Sequence, residues 1–214
     1  MPNPSDSDGD DDDFVSRDED PALAGLDSEY VKESYEVTPN TAAIAKDLAE
    51  FWLTSMQFAH AAATVAVIRE LPGVRPNLGT EYFLEATAWL HQVLTVGATE
   101  WGAPVLPEYL RAGGLPPHVV VALRVLHRER WMTDHWYSRV LDGAPDLIKI
   151  VACASRIATL RAERPSATKY EWRALTYDTK HWLGPITFDM PPPWGTWLRA
   201  QLEELSAGAR DGHE

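Results

Sequence analysis

Apolar residues recur at three- and four-residue intervals along most of this chain, and no stretch alternates apolar and polar positions with a period of two. Side chains three and four apart share one face of a helix, whereas successive residues of a strand alternate faces, so the pattern predicts helices and no sheet. Thr38 before Pro39 supplies a cap and a first-turn residue. An alanine-, leucine- and aromatic-rich stretch then predicts one long helix to about Leu71, where Pro72-Gly73 stops it. After a loop at 74–79, Thr80 is the expected cap of a helix carrying Phe83, Thr87, Leu90 and Leu94 on one face and ending at Gly97. A short turn, LPEYLRAGG, closes on paired glycines, and Pro116-Pro117 start VVVALRVLH. A short helix is expected from Asp134 to Leu141, and a long one from Pro145 to Pro165. Ser166 is the expected cap of a helix reaching about Leu183. The loop GPITFDMPPPWG separates it from a last amphipathic helix over roughly Thr196–Leu205. The β-branched run at 119–121 falls inside a helical period. The expected fold class is therefore all-α, a compact bundle of seven or eight helices of unequal length.

Charge divides the chain in two. Residues 1–30 carry eleven acidic side chains and one basic one, Arg17, which is −10 of the total −13. Residues 31–214 hold 21 acidic and 18 basic side chains, a balance of −3. The opening MPNPSDSDGDDDDFVSRDED is low in apolar residues and high in like charge, so it cannot bury enough surface to offset its ordering entropy. The expectation is a disordered acidic tail over 1–34 and one helical domain over 35–209. The tail either solubilises the chain or imitates a polyanion that docks on a basic partner. The domain offers no basic stripe, which argues against nucleic acid as a partner. One cysteine, Cys153, excludes an internal disulfide and fits a reducing compartment. No run of 18 apolar residues could span a bilayer and no early apolar stretch resembles a signal peptide, so the expected setting is the cytoplasm, away from membranes.

Three places could carry chemistry: His60 in QFAHAAATVAVI, the pair His91-Gln92 in ATAWLHQVLTVGAT, and the late helix VACASRIATL at 151–160. Their order, with LRAGGLPPHVVVALRVLHR at 110–128 and Tyr137 in DHWYSRVL between them, resembles the HD-domain metal phosphohydrolases. Within that family it is most similar to the RelA/SpoT-type hydrolases of the guanosine alarmone (p)ppGpp. The resemblance spans about residues 50–183. It implies a helical HD-like fold and a pocket in which histidines and aspartates hold a divalent metal, manganese or a similar ion, that activates water against phosphate.

The departures from the family's motifs fall on the groups that would do this. The histidine of the His-Asp pair matches His91, but its aspartate is Gln92. The acidic pair that assists the water falls on Thr95 and Val96, and the distant aspartate ligand is Ser155. Arg156 alone survives from the family's last motif. His60 matches either the first histidine ligand or an earlier Ala-His that binds nothing. With no carboxylate at a matched position the site lacks both the anionic ligands and the general base, so no catalytic residue and no metal cofactor are expected. The residues of the remnant pocket are then His60, His91, Gln92, Thr95, Ser155 and Arg156. Read without the family, His91 is a buried histidine satisfied by a hydroxyl or a carbonyl, and Cys153 is a small buried hydrophobe. Asp178 and His181, three apart, could pair.

Three functions follow as expectations. The first is a catalytically inactive HD-like protein, a pseudoenzyme that binds a protein partner or a nucleotide. The second is an active metal-dependent phosphohydrolase, with His60 and His91 keeping a metal and replacement ligands drawn from Asp134, His135, Asp146, Asp178 and His181. The third is an unrelated all-helical regulator of phage or plasmid origin.

Overall fold

A computed structural model describes residues 37–73, 79–97, 102–128 and 132–207. The acidic segment expected to be disordered, the start of the domain at 35 and its end at 209 lie outside these residues. Among the described residues there are ten α-helical segments and no strand. They are α1 Pro39–Trp52, α2 Ser55–Glu70, α3 Thr80–Leu90, α4 Val93–Val96, α5 Pro107–Ala112, α6 Pro117–Leu126, α7 Asp134–Asp142, α8 Asp146–Glu163, α9 Lys169–Asp178 and α10 Trp194–Ala207. A π turn, Thr179–Leu183, and a 3₁₀ turn, Pro185–Phe188, lie between α9 and α10. The fold is all-α. No helix among the described residues is long and apolar enough to cross a membrane.

The helix boundaries correct the sequence reading at several points, among them the helix expected from Thr80 to Gly97, which is divided into α3 and α4. The single long helix expected to Leu71 is two. α1 ends at Trp52, and Thr54 caps α2 through a capping box in which its hydroxyl accepts from the Gln57 N–H while the Gln57 side chain accepts from the Thr54 N–H. The cap of α3 is Gly79 rather than Thr80, because the chain enters this helix with a φ of 93°, a left-handed conformation that favours glycine. The cap of α9 is Thr168 rather than Ser166: Thr168 and Glu171 form a second capping box. The helix expected to reach Leu183 ends at Asp178 and widens into the π turn, closed by the Gly184 N–H bonding the Thr179 carbonyl at 2.8 Å.

Helix α8 is the centre of the molecule. Ile148, Ile150, Val151, Cys153, Ala154, Ile157 and Leu160 on it are all fully buried. Helices α2 and α3 pack against it and against each other, and α10 covers another side. Buried alanines stand on both helices, Ala61 on α2 and Ala152, Ala154 and Ala158 on α8. A bidentate ion pair from Arg69 on α2 to Glu85 on α3, at 2.7 and 3.0 Å, and a stack of Phe58 on Trp89 fix the α2–α3 contact.

Candidate functional site

Where α2, α3 and α8 meet, His60, His91 and Ser155 converge. The Ser155 hydroxyl lies 3.0 Å from His91 Nε2 and 3.1 Å from His60 Nε2, and the two imidazole centroids are 5.3 Å apart. His91 is buried at the end of α3, and its Nδ1 lies 2.7 Å from the Ala88 carbonyl. His60 and Ser155 are half-buried on α2 and α8.

The partners fix the direction of every hydrogen bond. A carbonyl can only accept, so His91 Nδ1 carries a proton and donates to Ala88. Burial pushes the His91 pKa down to about 4; the bond to Ala88 works against this shift and His60 adds to it. The ring is therefore neutral near pH 7, and its Nε2 is an acceptor. Ser155 donates its one proton there. The remaining Ser155 lone pairs accept from His60 Nε2–H, and burial keeps His60 below its usual pKa as well. The result is a one-way chain: His60 donates to Ser155, Ser155 to His91, and His91 to Ala88.

This donor set does not fit the divalent ion that the resemblance implies. The His91 Nε2 lone pair is used by Ser155, and His60 would have to change tautomer to offer one at Nε2, the nitrogen that faces the junction. All three groups are neutral, and no cluster of three or more His, Cys, Asp or Glu suited to a metal occurs among the described residues. Neutral donors offset the lost hydration of a hard divalent cation far less than carboxylates do. The other arrangement to weigh is a serine nucleophile with a histidine base. His91, with its pKa near 4, is too weak a base to draw the Ser155 proton near neutral pH. Ser155 also lies mid-helix, where backbone N–H groups are taken up by the helix and none is left to stabilise an oxyanion.

None of the other sequence candidates shares the hydrogen bonds that join His60, Ser155 and His91. Gln92 is half-buried in the turn between α3 and α4. Thr95 is exposed on α4, 3.2 Å from His127 Nδ1. Arg156, one residue past Ser155, is half-buried and exerts its charge on Tyr137 and Cys153. Burial dominates at both: Tyr137 and Cys153 are each pushed up to about 12, which leaves Cys153 a thiol. Asp146 lies 3.9 Å from Lys149, and His135 is exposed with its ring edge on Trp182. The side chain of Asp134 lies outside the described atoms.

The expected pairing of Asp178 with His181 is not made. His181 turns back to the Tyr177 carbonyl at 2.9 Å and stacks on the Tyr177 ring at 3.8 Å. The π turn beginning at Thr179 supplies the reason, since its wider winding moves residue i+3 away from residue i. The sequence reading of His91 as a buried histidine satisfied by a hydroxyl or a carbonyl agrees with the structure, which supplies both; that the carbonyl is Ala88's, and so sets the tautomer, has no mark in residue type.

No protein-family model matches this chain, and no curated protein matches it.

Proposed function

We propose that this chain is a catalytically inactive protein of HD-like design that works as a binding or regulatory module toward a protein partner. One observation carries the reading. At the junction where the resemblance calls for a metal, a single hydroxyl closes the gap between two neutral imidazoles, 3.0 and 3.1 Å away. A hydroxyl that donates to one imidazole and accepts from the other stabilises the junction of three helices and supplies no activated water for a phosphate ester. Exposed large apolar side chains, among them Phe51, Met56, Trp136 and Phe188, give the surface material for protein contacts.

The test is incubation of the full chain with (p)ppGpp and Mn²⁺. No release of pyrophosphate above the uncatalysed rate is expected, and no saturable Mn²⁺ site by electron paramagnetic resonance. The double variant Gln92→Asp with Ser155→Asp restores two carboxylates and is expected to gain Mn²⁺ binding. Metal-dependent release by the natural chain, lost in His91→Ala, would overturn the proposal. Calorimetric titration with (p)ppGpp in the absence of metal separates the partner classes, and a stoichiometric binding isotherm there would replace the protein partner by a nucleotide.

A further inference from the structure

A second feature lies away from the histidine junction, between the π turn, the 3₁₀ turn and α10. It is a cleft of about 140 Å³ whose walls include Lys180, Pro185, Phe188, Arg199, Leu202 and Glu203. Ligand pockets for metabolites and nucleotides run to roughly 300–1,000 Å³, so this volume is too small for them. It is close to the roughly 150 Å³ of an apolar cavity that accepts benzene, which is the size of one aromatic side chain. Pro185, Phe188 and Leu202 supply the apolar wall.

Two cationic side chains, Lys180 and Arg199, stand among the lining residues. The Arg199 guanidinium lies 4.5 Å from the centre of the exposed Phe188 ring, and this stacking orients it. No carboxylate pairs with Arg199 or Lys180 among the described residues. Glu203 offsets one of the two positive charges, which leaves one in excess. The matching occupant is an aromatic side chain with acidic neighbours on a peptide.

This chain contains such a segment outside the described residues: Asp10-Asp11-Asp12-Asp13-Phe14-Val15. We propose that Phe14 seats in the cleft while Asp10–Asp13 face Lys180 and Arg199, so that the acidic segment is the cleft's intramolecular ligand. Reach does not limit it. Val37, where the described chain starts, is 23 positions beyond Phe14, and that length of chain can span up to about 76 Å. A domain of this size is only about 40 Å across. Tethering gives an effective concentration in the millimolar range, so one aromatic anchor with modest charge complementarity suffices for a populated contact. The proposal does not depend on the reading of the histidine junction.

Hydrogen exchange of the full chain, followed by mass spectrometry, tests it. In the natural chain, amides of 10–18 and of 179–190 are expected to exchange about two- to tenfold more slowly than in Phe14→Ala. Arg199→Glu with Lys180→Glu is expected to lose the same protection. Adding Asp12→Arg and Asp13→Arg to that double variant is expected to restore it, an outcome that a merely damaged cleft does not allow. Position 14 lies outside the described helices, so unchanged circular dichroism of Phe14→Ala controls for folding. Identical exchange in the natural chain and Phe14→Ala would overturn the proposal. Protection that disappears on dilution would also overturn it, assigning the cleft to a second copy of the chain.

Discussion

At the scale of single residues, His91 is where burial and chemistry meet most sharply. Its ring is neutral because the charged form would give up hydration in a closed site. That neutrality has a pH signature. Unfolded, His91 binds its proton near pH 6.5; folded, only near pH 4. Between those values the unfolded state holds more protons, so stability rises with pH across this window. The contribution is fully present above pH 6.5 and lost as pH falls toward 4. The full loss is about 3 kcal/mol, since each unit corresponds to about 1.4 kcal/mol. His60, also lowered by burial, acts in the same direction. Urea unfolding at steps from pH 7.5 to 4 checks this: the natural chain is expected to lose stability more steeply than His91→Gln between pH 6.5 and 4. Parallel curves would show that His91 carries no such penalty. Ser155 shows what the sequence conveyed and what it did not. The order of motifs places His60, His91 and Ser155 in one family-like scheme, but a separation of 95 residues between His60 and Ser155 carries no distance. The tautomers that make the junction one-directional follow from Ala88 and the hydroxyl geometry, and only coordinates supply those.

At the scale of elements, the apolar periodicity is enough to read the helices because each buries one face against α8 or its neighbours. The break between α1 and α2 is harder to see. No glycine or proline marks it; its signal is Thr54 followed three residues later by Gln57, and the same Thr-x-x-Glu signature at Thr168 outweighs the nearer Ser166. The π turn after Asp178 has no comparable signature, and the cleft of Lys180, Phe188 and Arg199 depends on it, so this part of the molecule was illegible from periodicity alone. What holds the region together is a close approach at the start of α10. A Cβ added at Gly195 would stand 2.6 Å from the Thr187 carbonyl oxygen, 2.7 Å from that of Met190 and 2.9 Å from Met190 Cβ. Two of these three are backbone atoms that no rotamer change can move. Gly195→Ala is therefore expected to cost about 1–3 kcal/mol by overpacking, with a drop in melting temperature on the order of 5 °C by calorimetry. An unchanged melting temperature would mean that α10 can slide away from the 3₁₀ turn without cost.

At the scale of the whole molecule, two parts with different features share one core. The histidine junction belongs to α2, α3 and α8, the cleft belongs to the π turn, the 3₁₀ turn and α10, and α8 packs against both groups of helices. One polar side chain joins them across the surface. Arg161 on α8 donates to both Glu70 carboxylate oxygens at 2.8 Å and to the Gln201 side-chain oxygen at 2.8 Å, so it ties α2, α8 and α10 together. Its side chain is 35% exposed and that of Glu70 is 47% exposed, so solvent and salt screen much of the pair. The stability at stake is accordingly small, about 1 kcal/mol or less. The mechanical role is larger than the energy suggests, because a planar guanidinium held by a bidentate carboxylate has little freedom and the Gln201 bond passes that constraint to α10. Arg161→Ala is expected to raise amide exchange in 194–207 several-fold while leaving 80–90 nearly unchanged, a local loosening within a cooperative fold. Raising the salt concentration should produce a weaker version of the same change in the natural chain. Equal acceleration across α3 and α10 would instead mean that Arg161 contributes only to global stability, and that the apolar face of α10, through Leu198 and Leu202, is what docks it on α8.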